Sequence, residues 1–534
     1  MKERPCGFLL TGAVSGYIVQ TRGHWDCKQM NEAVNPLVWA TPDRPREFRL
    51  LIDGELVGAE TGETITRESP AHRVPVSVYP RAGQSEAQRA IDAAKRAFDP
   101  WSRLTGADRA RLILKVADLI REHRHELAYL EALEGGKPVS MVEGEIDVSV
   151  ELWEYAATLA RHCYGDTYDA LGAKTLGLVL RQPIGVVTMI TPWNFPLLIL
   201  SQKLPFALAV GCTAVVKPSE LTSGTALLLG ELLLKAGLPR GVVNILAGSG
   251  SSLGPILCTH PDVAMVSFTG STSVGKTISH YAADTLKRVS LELGGKAAHI
   301  VFADADLDAA ADKVAFGILH NAGQCCVSGT RLLVQRSIAD RFSASVARLM
   351  KSAPFGDPLD PGVKVGPVIS RQQYDTIVSY IEVGKHEGAK LVLGGAAGEQ
   401  RDGVKGYFIE PTVFSDVAPS MRIAQEEIFG PVLSVIPFDT VEDAIQIAND
   451  SIYGLASGVW TSNVDTAFRC AREIRSGTVE INTYIAGAPE LPLVGHKQSG
   501  VGHEKGRFAV DEFTELKTVQ FQFGPLTDRW VPKA

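Results

Sequence analysis

Two thiols, one carboxylate and one glycine-rich turn are the groups in this chain best suited to chemistry. Cys325 and Cys326 lie in Gly323-Gln324-Cys325-Cys326-Val327-Ser328-Gly329-Thr330-Arg331, at the end of a helix-like run from Ala310 to Asn321. A thiolate is a soft, strong nucleophile, although adjacent cysteines taken alone are more often ordinary buried residues. In Leu291-Glu292-Leu293-Gly294-Gly295-Lys296 a single carboxylate sits in an apolar run, followed by two glycines that permit a tight turn or close backbone approach. Such a Glu is either a paired strand end or a general base whose pKa burial has raised. Phe268-Thr269-Gly270-Ser271-Thr272-Ser273-Val274-Gly275-Lys276 follows an apolar run and opens a helical one. Its backbone N–H groups are placed to receive a phosphate, with Gly-x-x-x-x-Gly spacing rather than the common dinucleotide fingerprint.

The elements that must position these groups are legible from periodicity. Apolar residues recur at helical spacing from Ser85 to Leu133. Four β-branched runs then alternate with helical patterns, at 185–190, 213–216, 242–246 and 265–268. That succession predicts a parallel, doubly wound sheet. A second alternation runs through 297–302, 331–334 and 432–436, which predicts a second α/β domain. Residues 164–187 read as a hairpin around Gly172, and 518–523 alternate like an edge strand open to another subunit.

Composition narrows the class. The 534 residues exceed one core at roughly 150 residues per domain. A net charge of −7 argues against nucleic acid or an anionic membrane as partner and for a small molecule. No run reaches the ~18 apolar residues of a membrane span, since 185–200 is broken by Thr191, Pro192, Asn194 and Pro196. Eight scattered cysteines fit neither a disulfide scaffold nor a zinc site, and point to a reducing cytoplasm. Residues 1–45 read as an extension, expected to be flexible, with Met30 as an alternative start.

Together with Thr191-Pro192-Trp193-Asn194-Phe195-Pro196, Lys217-Pro218-Ser219-Glu220, Glu426-Glu427-Ile428-Phe429-Gly430-Pro431 and Lys497-Gln498-Ser499-Gly500, these segments resemble the aldehyde dehydrogenase superfamily in identity, order and spacing. The resemblance covers about Phe48 to Phe523. It implies an α/β fold of two doubly wound parallel-sheet domains plus a small β oligomerisation domain. The expected boundaries are 46–164 with 184–293 for a Rossmann-like NAD-binding domain, 294–505 for a catalytic domain, and 165–183 with 506–528 for oligomerisation strands in a homodimer or homotetramer.

The resemblance also implies roles. Cys326 is the nucleophile, which takes an aldehyde through a thiohemiacetal to a thioester. Asn194 and the Cys326 N–H are the oxyanion donors, Glu292 activates the hydrolytic water, and Lys203 and Glu504 form a proton relay. For NAD, Lys217 and Glu220 meet the adenosine ribose. Trp193 and Ser271, in the Gly270-to-Gly275 turn, meet the pyrophosphate, and Gln373, Glu427 and Phe429 the nicotinamide half. Glu220 favours NAD⁺ over NADP⁺, because a carboxylate repels a 2′-phosphate.

Departures concern substrate access. Leu493-Val494-Gly495-His496-Lys497 stands where relatives often have Phe-Gly-Gly-Tyr-Lys, His503 stands where arginine is common, and Val494 is expected to stiffen the loop. His320, Gln202 and Gly487 occupy positions that are aromatic in some relatives. Phe195, Tyr484 and Trp153 are left as the expected aromatic surfaces of a wider, more polar tunnel. The stretch from Ile481 to Tyr484 followed by Pro489-Glu490-Leu491-Pro492 is similar to betaine-aldehyde-type members. The alternatives are an NADP-dependent or coenzyme-A-acylating variant, the latter disfavoured by Glu292, and a non-catalytic relative kept for binding or structure.

Overall fold

The computed structural model describes residues 45–525 and 530–531. The expected N-terminal extension, apart from Pro45, lies outside the described residues, as does Met30.

The strand Val186–Ile190 is buried along nearly its whole length, as befits a central parallel strand covered on both faces. It sits in an eight-stranded sheet whose five parallel strands run, edge to edge, Arg288–Glu292, Val263–Thr269, Val186–Ile190, Thr213–Lys217 and Val243–Ile245. Chain order therefore reverses between Val186–Ile190 and Val263–Thr269, which makes the crevice there the topological switch point of a doubly wound sheet. Leu50–Ile52 with Glu55–Val57 close one edge antiparallel, and Gly500–Val501 closes the other against Arg288–Glu292. Residues 500 and 501, placed by the sequence in the second domain, thus cross to the first sheet.

The second sheet has seven strands in the order Lys390–Leu393, Thr412–Ser415, Val432–Phe438, Arg331–Gln335, Ala298–Val301, Ala456–Trp460 and Thr478–Ile481, all parallel except the first. Separate apolar cores surround the two sheets, one including Val187, Val215 and Ile245, the other Ile300, Leu333 and Ile436. A three-stranded antiparallel sheet joins Asp166–Tyr168, Thr175–Pro183 and Thr514–Gln522. The tail strand begins four residues before the alternating 518–523 run because its partner continues to Pro183.

The polypeptide leaves the first sheet at Glu292 and enters the second at Ala298. The carboxyl ends of the first sheet's strands are in register there: Lys217 pairs with Ile190, and Thr269 with Glu292. The residues just ahead of the second sheet's strands carry Gly295, Cys326 and Glu427.

Candidate active site

Cys326 is presented by a sharply turned segment. The helix Leu307–Leu319 ends two residues earlier than the apolar run suggested, and His320–Gly323 forms a 3-10 turn. Asn321, Ala322 and Gly323 all have left-handed backbones, at φ 51°, 52° and 73°. Two non-glycine residues there are strained and must be held by their surroundings. At Gly323 a Cβ would lie 2.2 Å from the Gly430 backbone, so only glycine fits.

Several hydrogen bonds fasten this segment. Asn321 Nδ2 donates to Asn194 O at 3.1 Å, Ser328 Oγ to Gly317 O at 2.8 Å, and Tyr484 Oη to Val327 O at 2.6 Å. Asn194 is buried, and its Nδ2 donates to Gln324 O at 3.1 Å, which leaves its second N–H for a ligand. Among the described residues the Cys326 N–H has no backbone carbonyl partner.

Cys326, Glu292, Thr269 and Glu504 line one cavity of about 940 Å³. Both carboxylate oxygens of Glu292 are buried without a hydrogen-bond partner, and burial lifts its pKa to about 8. The Cys326 thiol is held well above its ordinary value, first by its hydrogen bond with Cys325, then by burial and by the charges of Cys325, Glu427 and Glu292. Cys326 and Glu292 thus share one buried space, in which the ionised fraction of Glu292 can take the thiol's proton.

Lys203 is fully buried on the helix Pro196–Val210. That helix starts with proline, stops at Gly211 and, apart from Ser201, Gln202 and Lys203, carries apolar residues all round, so it lies inside the protein. Lys203 forms a short ion pair with Glu504 and donates to Ser267 Oγ at 3.1 Å. Burial lowers its pKa to about 7, against the upward pull of Glu292. Ser267 and Thr269 were not singled out from the sequence, since a hydroxyl in a β-strand carries no pattern of its own.

The proposed cofactor residues surround the switch point. Lys217 is buried, donates to Pro218 O at 3.0 Å, and has its pKa lowered to about 8 by burial, with Glu220 opposing. A buried ammonium with one carbonyl contact has donors left for ribose hydroxyls. Glu220 is half-buried, and its carbonyl accepts from Tyr79 Oη at 2.8 Å. Ser271 caps the helix Thr272–Ala283, accepting from Val274 N at 3.3 Å, so an exposed helix N-terminus faces the crevice. Gly270 precedes it, and a Cβ there would meet the Phe268 ring at 2.4 Å. Gly275 is inside the helix, where a Cβ would sit 2.6 Å from Leu293, so its place is in packing rather than against a ligand.

Trp193 from the first sheet meets Phe429 from the second edge-on, ring centroids 5.4 Å apart. Glu427 is half-buried and its Oε1 accepts from Gly295 N at 3.0 Å, while burial raises its pKa to about 7. Gln373 Nε2 donates to Ile428 O and Phe429 O, at 3.2 and 2.9 Å, so it braces the Phe429 segment. These groups fit a dinucleotide along the crevice.

Among the expected tunnel residues, His320, Gln202, Gly487, Phe195 and Tyr484 do line the cavity. Trp153 does not: it is fully buried on the helix Val139–Leu159, with Nε1 donating to Ser201 Oγ at 3.1 Å. Aromaticity alone could not separate a core indole from a cavity wall. Val494 is accommodated by strand pairing, since Leu493–Val494 pairs with His503–Glu504. A β-branched residue suits that backbone. Lys137 was missed: it is buried and donates to Glu131 Oε1 at 2.6 Å and to Glu145.

The family model described as "Aldehyde dehydrogenase family" matches residues 57–519. The chain is 42% identical over 477 residues to an aldehyde dehydrogenase of Aspergillus niger, covering 89% of this chain and 95% of that protein. It is 40% identical to a betaine aldehyde dehydrogenase of Bacillus subtilis, covering 90% and 99%. Among solved structures, an NAD-dependent aldehyde dehydrogenase from Sinorhizobium meliloti is similar at TM-score 0.90 and 47% identity, covering 92% of this chain and 97% of that one. A betaine aldehyde dehydrogenase from Staphylococcus aureus in complex with NAD⁺ is similar at TM-score 0.89 and 40% identity, covering 91% and 97%.

Proposed function

Because the chain belongs to the aldehyde dehydrogenase family, we propose that it oxidises an aldehyde to a carboxylic acid with Cys326 as nucleophile and Glu292 as the base for water. The observation that carries this assignment is the pair of unpartnered, buried Glu292 oxygens in the cavity that also holds Cys326. A carboxylate kept free of hydrogen bonds costs stability and is retained where it must exchange protons.

Cys326 Sγ gives up its proton to ionised Glu292 and attacks the carbonyl carbon, forming a thiohemiacetal. The alkoxide that develops is met by the remaining Asn194 N–H and the Cys326 N–H, both in place before reaction. Lys217, Glu220, Ser271, Trp193, Glu427 and Phe429 would hold NAD⁺, which when bound would supply the hydride acceptor, and Cys326 keeps the acyl group as a thioester. Glu292 then takes a proton from water, whose oxygen attacks the thioester and releases the acid. Lys203, poised near 7, and Glu504, which lines the same cavity, carry protons away from Glu292. Gln373 and Gly275 act through the groups they brace. A coenzyme-A-acylating enzyme would have no use for a base at Glu292.

A homodimer or homotetramer is supported by the edge strand Thr514–Gln522, which exposes Leu516 and Phe521 beside Tyr168 and Leu180. A cytoplasmic location is supported by free thiols at Cys163, Cys212, Cys258, Cys325, Cys326 and Cys470. No helix among the described residues is long and apolar enough to cross a membrane.

The test is a pair of thiol variants assayed for reduced nicotinamide. Cys326→Ala is expected to lose turnover and Cys325→Ser to keep most of it. Full turnover by Cys326→Ala, or loss only in Cys325→Ser, overturns the assignment.

A further inference from the structure

On the reading that the Cys326 cavity oxidises aldehydes, we infer that its substrate is an uncharged aldehyde with an apolar tail, and that quaternary-ammonium aldehydes are discriminated against. Recognition of a quaternary ammonium needs an aromatic face within about 6 Å that is free to receive it. Among the described residues the aromatic side chains lining the cavity are Phe195, Phe316, His320 and Tyr484. Each is already engaged. The Lys137 ammonium lies 4.6 Å from the Phe195 centroid, and that of Lys313 lies 5.2 Å from the Phe316 centroid. His320 stacks on Phe195 at 5.6 Å and leans on Phe316 at 5.1 Å. Tyr484 is set against His299, with its hydroxyl committed to Val327 O. A ligand cation at either phenylalanine would share the ring with a cation of the protein.

The carboxylates of the cavity do not compensate. Both Glu480 oxygens accept backbone N–H groups, from Ile485 at 2.6 Å and Ala486 at 2.9 Å, and its charge already acts on the Lys505 ammonium in the same cavity. Glu504 is ion-paired with Lys203, and Glu145 with Lys137. Glu145 is spent on Lys137, and burial lifts Glu292 to about 8, so neither offers an unopposed full negative charge at neutral pH. Asp312 is exposed, and Lys364 and Lys505 also line the space. The remaining wall is mostly apolar, with Met141, Val148, Leu198, Ile199, Leu319 and Leu491 outweighing the neutral polar Gln202, Thr269 and Thr478. That wall rewards an apolar tail, and the volume admits one of several carbons. Similarity to betaine aldehyde dehydrogenases, about 40% in identity, does not extend to this chemistry.

The decisive comparison is kcat/KM at pH 7.5 for two isosteres that differ by one charge, 3,3-dimethylbutanal and (trimethylammonio)acetaldehyde, with NAD⁺. The neutral aldehyde is expected to be favoured by roughly tenfold, the scale of one or two lost cation–π contacts, and longer n-alkanals to do better still. Lys313→Ala, which takes the competing cation off the Phe316 face, is expected to narrow the ratio and leave the neutral substrate unchanged. Equal or better turnover of the cationic isostere overturns the inference alone. Silence with both isosteres and the alkanals overturns the aldehyde-oxidation reading, and the inference with it.

Discussion

Glu292→Gln keeps the shape of the site and removes its titration, and its consequences can be worked from burial. The carboxyl moves from an ordinary 4.5 to about 8 because it is desolvated, with only Lys203 pulling it down. That shift corresponds to about 5 kcal/mol between the two protonation states. In the unfolded chain the proton leaves near 4.5, whereas the folded enzyme keeps it until about 8, so the folded state binds more protons across that window. Folding stability from this group is therefore fully present below 4.5 and is lost as pH rises through 8. The glutamine variant has no such loss, and its advantage over the wild type is expected to grow by roughly 4 kcal/mol between pH 5 and 8. Loss of the attraction to Lys203 reduces that gain. Denaturation midpoints of both proteins at pH 5.5 and 8.5 read the difference. Kinetically, about 1% of Glu292 is ionised at pH 6 and half at pH 8, so wild-type kcat is expected to rise about 50-fold over that range where water attack limits the rate. The variant lacks the base for both the thiol and the water, so it is expected to give a slowed burst of at most one equivalent of reduced nicotinamide followed by little turnover. A variant with no pH-dependent gain in stability and wild-type turnover would refute both the burial argument and the role.

Gly295→Ala would place a Cβ 2.2 Å from the Cys326 carbonyl oxygen and push the nucleophile's backbone aside; kcat is expected to fall about 10²-fold and the melting temperature to drop as well, and an unchanged kcat would show that the contact is slack. Tyr484→Phe removes the hydrogen bond to Val327 O at a cost of about 1 kcal/mol. It should lower kcat several-fold while leaving KM for NAD⁺ alone, as steady-state kinetics would show. Glu220→Ser removes the charge that repels a 2′-phosphate, so kcat/KM with NADP⁺ should rise about tenfold or more; no change would place the discrimination elsewhere.

Much of this site was readable because several short motifs stand together in the order and spacing of one family, and the roles of Cys326, Glu292 and Ser271 came from that resemblance. Glu292 ends a strand, Cys326 follows a helix and Ser271 opens one, so periodicity placed each at a boundary between elements without naming what it does. Isolated buried charges were harder. Lys137, between the helices Arg124–Gly135 and Val139–Leu159, and Lys203, inside a helix, are single charges in buried surroundings, and only three-dimensional packing shows which carboxylates face them. Gly275 read as part of a phosphate turn because glycine serves both close packing and close ligand approach, and spacing does not separate the two. Trp153 failed as a cavity wall for a similar reason, since a large ring fits a core as readily as a tunnel.

Open parallel sheets bind ligands beyond the carboxyl ends of their strands. The first sheet obeys this, with Lys217, Asn194, Ser271 and Glu292 all at or just beyond those ends. In the second sheet the reactive groups lie on the opposite edge, since Cys326 and Glu427 each come five residues before a strand begins. The short passage from Glu292 to Ala298 accounts for the inversion: it carries the chain directly from the carboxyl edge of one sheet to the amino edge of the other. The two edges are thereby forced together, and Gly294 and Gly295 let them close on Glu427 and Cys326 at distances no Cβ would allow. Nucleophile and base thus come from different sheets joined by five residues, and a longer connection would be expected to cost reactivity before it cost folding, because the cores on either side are independent.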